Sequence, residues 1–226
     1  MRAVARRNRE QILLAAREIF ADQGPDAPLD AVARRAGVGI ATLYRRFPDR
    51  DELVKAVAFD VLTALARAAG ECLRREPDPA EALRGFMHAA LDLKVGSVMP
   101  ALLGRIDIGR LLADLDGDAV EPVQEILARA QRDGLIRPDA ALGDITFMII
   151  RLTRPLPGGD FPHDAELAHR HLDIYLDGLR AAGARRPAAG LPGPVVDAEG
   201  FRRLRARVAG RAAAEGPGSA EAPDEA

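Results

Sequence analysis

Apolar positions in the first 180 residues recur at helical spacing and are punctuated by Gly and Pro. Leu29, Val32, Ala33 and Ala36 fall at i, i+3, i+4 and i+7, which predicts one face of an amphipathic helix. Pro28 reads as its first-turn residue, with Asp26 ahead of it to cap free N–H donors. Gly37 follows the last periodic position and suits a left-handed exit. A second helix begins almost at once and is stopped by Pro48; Ile40, Leu43 and Phe47 share its inward face. Upstream, residues 8 to about 23 form a helix with Ile12, Ala16, Ile19 and Phe20 inward, ended by Gly24-Pro25. Three short helices joined by tight turns predict a small domain over residues 1–50.

Downstream the same periodicity predicts a larger helical domain over 51–183. A long helix is expected from Arg50 to Glu76, interrupted by Pro77 and Pro79, with Asp78 capping the next over 79–95. Further helices are expected over 98–113, 118–133 (ended by Gly134), 139–153 and 164–182, the last two split by RPLPGGDFPHD. Residues 184–226 read as a disordered, unattached tail, since eleven of these 43 are Gly or Pro. Within it, FRRLRARVAGR groups Phe201, Leu204 and Val208 among arginines, a short basic amphipathic pattern able to touch membrane, DNA or the acidic body.

Composition sharpens this picture. A 48% hydrophobic chain with no Trp and much Ala, Leu and Arg favours an all-α fold. The single Cys, Cys72, excludes an internal disulfide framework; it reads as a small buried residue, with redox sensing the minor alternative. The start, MRAVARRNRE, lacks an apolar signal core, and no apolar run reaches membrane-spanning length. The expectation is a cytoplasmic protein with no membrane partner.

The candidate chemistry lies on the short second helix of the first domain. Ala41, Thr42, Arg45 and Arg46 point away from its inward face, and Tyr44 lies at the edge with its hydroxyl free to reach out. Small residues and arginines opposite a buried face are the anatomy of a helix that enters the DNA major groove. Charge agrees: residues 1–50 hold ten Arg against six Asp or Glu, +4, in a chain of −2, which leaves −6 on residues 51–226.

The segment Leu29–Leu53, LDAVARRAGVGIATLYRRFPDRDEL, resembles the TetR/AcrR family of one-component transcriptional repressors. The family's pattern is roughly A-G-V-[ST]-x-[GA]-T-[LI]-Y-x-[HYR]-F-x-[ND]-[KR]-[DE]-x-L. The chain matches at Ala36, Gly37, Val38, Ala41, Thr42, Leu43, Tyr44, Arg46, Phe47, Asp49, Arg50, Asp51 and Leu53. It departs at Gly39, where Ser or Thr is usual, which removes a helix cap and a phosphate-binding hydroxyl. The match spans roughly residues 8–60.

The resemblance implies that Ile40, Ala41 and Arg45 face base edges, and that Thr42, Tyr44, Arg46 and Arg50 bind phosphates. Arg6, Arg7 and Arg9 would form a basic arm beside the duplex. It implies a homodimer on a palindromic double-stranded operator, made by a four-helix bundle of the last two helices and their copies. Ile145, Ile149, Leu152, Leu167, Ile174, Leu176 and Leu179 offer the apolar surface for it, if they do not serve the monomer's core. It also implies a pocket for a small, mainly apolar effector. Phe86, Met87, Met99, Leu102, Phe147 and Met148 are the candidate walls, and His88, Arg105 and Asp107 the candidate polar contacts. Ligand binding would tilt the long helix and change the spacing of the two recognition helices.

No cofactor and no metal are expected. Gly37-Val38-Gly39 opens like a dinucleotide fingerprint, but a helix precedes it and Thr42 takes the third glycine's place. His163, His169 and His171 cluster, yet His169 and His171, two apart, point to different sides of a helix. An enzyme is poorly supplied: Ser97 and Ser219 are the only serines, and Asp114 and Asp116 fall in a loop. An all-α small-molecule-binding module without DNA binding leaves the 29–53 pattern unexplained. A nucleoid-type protein would bind without sequence preference.

Overall fold

The computed structural model describes residues 2–24, 26–96, 98–99, 120–154, 163–180, 195–200 and 203. Eight named helices fill them: α1 (Arg2–Gln23), α2 (Leu29–Arg35), α3 (Ile40–Arg46), α4 (Arg50–Arg75), α5 (Pro79–Asp92), α6 (Glu121–Arg132), α7 (Leu142–Leu152) and α8 (Asp164–Leu179). No strand forms among the described residues, and the fold is all-α. The expected helix over 98–113 lies outside them apart from positions 98 and 99, both helical.

Local signals explain most helix ends. Asp49 Oδ1 accepts from the Glu52 N–H at 2.8 Å and starts α4; Asp78 Oδ1 accepts from the Ala80 N–H at 2.8 Å and starts α5, with Pro79 in the first turn. Arg74 and Arg75 close α4, where positive charge suits the carbonyl end. Gly37 leaves α2 at φ 67°, the left-handed conformation expected of it. Two starts differ from expectation. Pro28 stands one residue before α2 rather than inside it, and no side chain caps that end. Gly39 precedes α3 in an extended conformation, also without a side-chain cap, as its missing hydroxyl foretold.

One core runs through the described helices. Ile12, Ala16 and Phe20 of α1 meet Val32 of α2 and Leu43 of α3, all at most 1% exposed. α4 continues that core: Leu53, Val54, Val57 and Val61 are sealed, and the helix packs on α1 at one end and on α5 and α6 beyond. α5 is central to the larger domain, touching α4, α6, α7 and α8. Each large side chain sealed this way is worth roughly 1.5–3 kcal/mol relative to exposure. The long α4 therefore packs against helices on both sides and links them.

Three expectations need correction. Ile40 is 36% exposed, because α3 presents only Leu43 and Phe47 to the core. Among the apolar residues assigned to a dimer face, Ile145, Ile149, Leu176 and Leu179 are buried within the single chain. Ile174 is 60% exposed, and Leu152 and Leu167 are half-buried. The segment read as an unattached tail is attached in part: Val196 accepts the Gly143 N–H at 2.8 Å, and Ala198 packs against the core. Gly143 permits this approach, since a Cβ there would run into Val196.

Candidate nucleic-acid interface

α2 and α3 form a helix–turn–helix whose geometry follows from the four residues between them. Val38 N–H reaches back to the Ala33 carbonyl at 3.0 Å, and Gly37 N–H to Arg34 at 3.1 Å, so the turn closes tightly on α2. On α3, Leu43 (0% exposed) and Phe47 (4%) face the scaffold. Ala41, Tyr44, Arg45 and Arg46 face solvent, and Thr42 is half-buried. Arg45 Nη2 donates to Thr42 Oγ1 at 3.0 Å, one turn earlier, which lays the guanidinium along the outer face. α3 carries no acidic residue. An exposed row of donors on a helix held from behind is fitted to reach into a groove and pair with acceptors there.

The scaffold residues hold this face in place. Arg35 Nε pairs with Glu18 Oε2 at 2.6 Å and ties α2 to α1. The Arg9 guanidinium lies 5.8 Å from the Phe47 ring centroid, so the residue expected in a basic arm also covers the end of α3. Arg7 is exposed; Arg6, also exposed, sits 3.6 Å from Glu10. Arg50 Nη1 donates to the Ala27 carbonyl at 2.8 Å in a part-buried setting, and so fastens α4 to the α1–α2 loop.

The candidate effector residues are more scattered. Phe86 (4%), Met87 (0%) and Met99 (8%) lie in the core, and Phe147 and Met148 are half-buried on α7. Leu102, Arg105 and Asp107 lie outside the described residues. His88 faces α8 with both ring nitrogens engaged, Nδ1 against His169 and Nε2 against Asp173. Sequence reasoning passed over Thr63, whose Oγ1 is buried in mid-α4 without a hydrogen-bond partner among the described residues. A lone hydroxyl in an apolar helix was the signal available. Cys72 is half-buried, and burial raises its thiol above the ordinary range, as befits a structural cysteine.

This arrangement has close counterparts. The family model described as "Bacterial regulatory proteins, tetR family" matches residues 12–57, and that of the "Transcriptional regulator SbtR-like, C-terminal domain" matches 78–181. The chain belongs to the TetR family of transcriptional regulators. The TetR transcriptional regulator SCO0520 of Streptomyces coelicolor is 32% identical, with 77% of this chain and 99% of that one covered at a TM-score of 0.54. The TetR-like regulator LfrR of Mycobacterium smegmatis, solved in complex with proflavine, is 26% identical, covering 74% and 95% at a TM-score of 0.55. The HTH-type transcriptional activator FasR of Mycolicibacterium smegmatis is 36% identical over 85 residues, 37% of this chain and 39% of that protein. The chain thus spans about two fifths of that relative's length. The first match covers the helix–turn–helix and the second covers α5 to α8, in keeping with the N-terminal helix–turn–helix domain and helical C-terminal domain of the structural neighbours. No helix of the described residues is long and apolar enough to cross a membrane.

Proposed function

We propose that the chain is a ligand-responsive repressor that binds a palindromic operator as a homodimer. The observation that carries the reading is the outer face of α3, where Tyr44, Arg45 and Arg46 stand exposed beside Thr42 while Leu43 and Phe47 are sealed behind. In this reading Arg45 and Ala41 read base edges, with Ile40, exposed at the start of α3, positioned for an apolar base contact. Thr42, Tyr44 and Arg46 bind phosphates, with Arg6 and Arg7 on flanking backbone. Two copies are required because one short helix reads only one half-site, and half-sites lie one turn, ~34–36 Å, apart. Ile174, with the half-buried Leu152 and Leu167, supplies apolar surface for that pairing on α7 and α8. The effector is a small, mainly apolar molecule held in the second domain, with the Thr63 hydroxyl as a polar contact.

The test is fluorescence anisotropy on DNA from immediately upstream of the protein's own gene, against random DNA of equal length at fixed salt. A preference of about 10³ or more supports sequence-specific regulation. Equal binding to both, persisting when sites are selected from random sequence, replaces it with a non-specific binder. Absence of binding leaves an all-α small-molecule-binding module. A reporter fused to the upstream DNA then reads the sign: transcription that falls without the protein identifies an activator and overturns the repressor assignment.

A further inference from the structure

α5 and α8 run antiparallel and meet along a ladder of charged and titratable side chains. Its rungs are Glu81 with Arg180 (3.6 Å), Arg84 with Asp173 (2.9 Å), His88 with His169, and Asp92 with His169 (3.1 Å). In the middle the two histidines face each other directly. Their Nδ1 atoms are 2.6 Å apart, with the rings 3° from parallel and their centroids 4.9 Å apart. The centroid separation exceeds the N–N distance by about two ring radii, so the two nitrogens point at each other edge to edge. The outer nitrogens are both engaged by carboxylates: His88 Nε2 with Asp173 Oδ1 at 2.9 Å, and His169 Nε2 with Asp92 Oδ1 at 3.1 Å.

The proton count follows from donor chemistry. An ionised carboxylate only accepts, so each Nε2 must carry a hydrogen. That leaves two Nδ1 atoms within hydrogen-bond distance, and one hydrogen between them satisfies both. With none, two lone pairs confront each other; with two, two N–H groups do. We propose that His88 and His169 form a single-proton latch, a cation site for one shared proton, that makes the α5–α8 contact sensitive to pH. A second proton turns the central hydrogen bond into a like-charge clash and parts the two helices.

The surroundings fit such a device. From α5 the pair is faced by Arg84 and Asp92, and from α8 by Asp173 and by Glu166, whose charge acts on His169 and which also pairs with His163; the Asp173 carboxyl is held below the usual range first by the hydrogen bond with His88 and then by Arg84. Beyond Asp92 lies a polar cleft lined by Arg17, Glu18 and Asp22 of α1, Arg35 of α2, and Lys94, which pairs with Asp22 at 3.4 Å. Among the described residues, α4, α6 and α7 place no ion-paired or hydrogen-bonded charge on either ring. The rings are part-buried, 21% and 31% exposed at the side chain, so protons reach them without unfolding. Because Asp92 borders the DNA-binding domain, opening the latch loosens a residue at the junction itself.

The test uses the whole chain, ¹⁵N-labelled, in long-range imidazole spectra from pH 8 to pH 5, with amide exchange read in parallel. The pH window is the one in which histidine changes charge. Expected are one proton held between the two Nδ1 signals near neutrality, a second taken up on acidification, and with it about a tenfold loss of protection in α8 beyond the intrinsic pH effect. In His169→Gln, α8 protection should vary by less than about twofold over the same range. Independent titration of the two rings, or unchanged protection in the wild type, overturns the proposal. His88→Gln repeats the comparison if His169→Gln fails to fold; an acid response that survives substitution overturns it too. Stoichiometric binding of zinc that either variant abolishes replaces the latch with a metal site.

Discussion

Arg50, the first residue of α4, donates from Nη1 to the carbonyl oxygen of Ala27, 2.8 Å away and 23 positions earlier. The bond joins the linking helix to the loop between α1 and α2, so the helix–turn–helix is anchored at the point where α4 leaves it. A charged donor satisfying a part-buried carbonyl is worth more than a neutral pair. The position that the family resemblance assigns to phosphate binding thus has a structural duty in this chain.

Arg50→Ala should therefore cost about 1–2 kcal/mol of stability, read from the urea midpoint. The competing outcome is clear-cut. An unchanged midpoint, together with DNA affinity weakened alike on all sequences and a salt slope lower by about one, would leave Arg50 with the phosphate role alone.

Arg45 and Arg46 are adjacent and both exposed, but they should fail in different ways. Arg45→Ala should lose about 1–3 kcal/mol on the operator and relax preference at one base pair, with the salt slope nearly unchanged. Arg46→Ala should weaken operator and random DNA together and lower the slope by about one. Thr42→Val should weaken operator and random DNA alike, because a phosphate donor is lost, and add a smaller copy of the Arg45 effect, because it also removes the oxygen that steadies that guanidinium at 3.0 Å. If both arginine variants bind as wild type, α3 is not the recognition helix.

Gly96 makes a prediction about packing. Its N–H donates to Thr153 Oγ1 at 2.6 Å, and a Cβ there would run into that oxygen and the Ile150 carbonyl. Gly96→Ala should cost about 1–3 kcal/mol or more, because backbone cannot give way as a flexible side chain can. Gly37→Ala is the contrast: its Cβ meets nothing within 4 Å, but φ is 67°, so only the left-handed strain, about 1–2 kcal/mol, applies. Equal chemical denaturation curves for Gly96→Ala and wild type would sink the close-approach account.

These cases also mark how far the sequence could be read. α2, α3 and α4 were legible because periodicity and punctuation are local: Val32 and Leu43 inward, Gly37 at the turn, Pro48 between the last two helices. Asp78 and Pro79 announced α5 in the same way. Contacts between distant segments left no such trace. Nothing local says that His88 meets His169, 81 residues on, and weighing His169 against His171 missed the partner on another helix. The bond from Arg50 to Ala27 was equally hidden, because an arginine at a helix start has no apolar signature and only the fold brings the Ala27 carbonyl to it. Which of the apolar residues on α7 and α8 serve the core was hidden for a related reason. Periodicity marks an apolar stripe but not which neighbour covers it, and Ile145 and Leu176 are covered by their own chain.

Gly39 tests the one departure from the family's pattern. It occupies the N-cap of α3 at φ −70° and ψ 146°, a conformation open to any residue, and a Cβ there meets nothing within 4 Å. Serine would place its oxygen toward the free N–H groups at the start of the helix, which no side chain now caps. It would also restrict the unfolded chain where glycine leaves it loose. Gly39→Ser should therefore stabilise the protein by roughly 0.5–1 kcal/mol. The added hydroxyl lies at the edge of the proposed DNA face, so affinity should rise on operator and random DNA alike, as a phosphate contact requires. A gain confined to the operator would mean that position 39 lies over base edges, and α3 would then enter the groove one turn deeper than proposed.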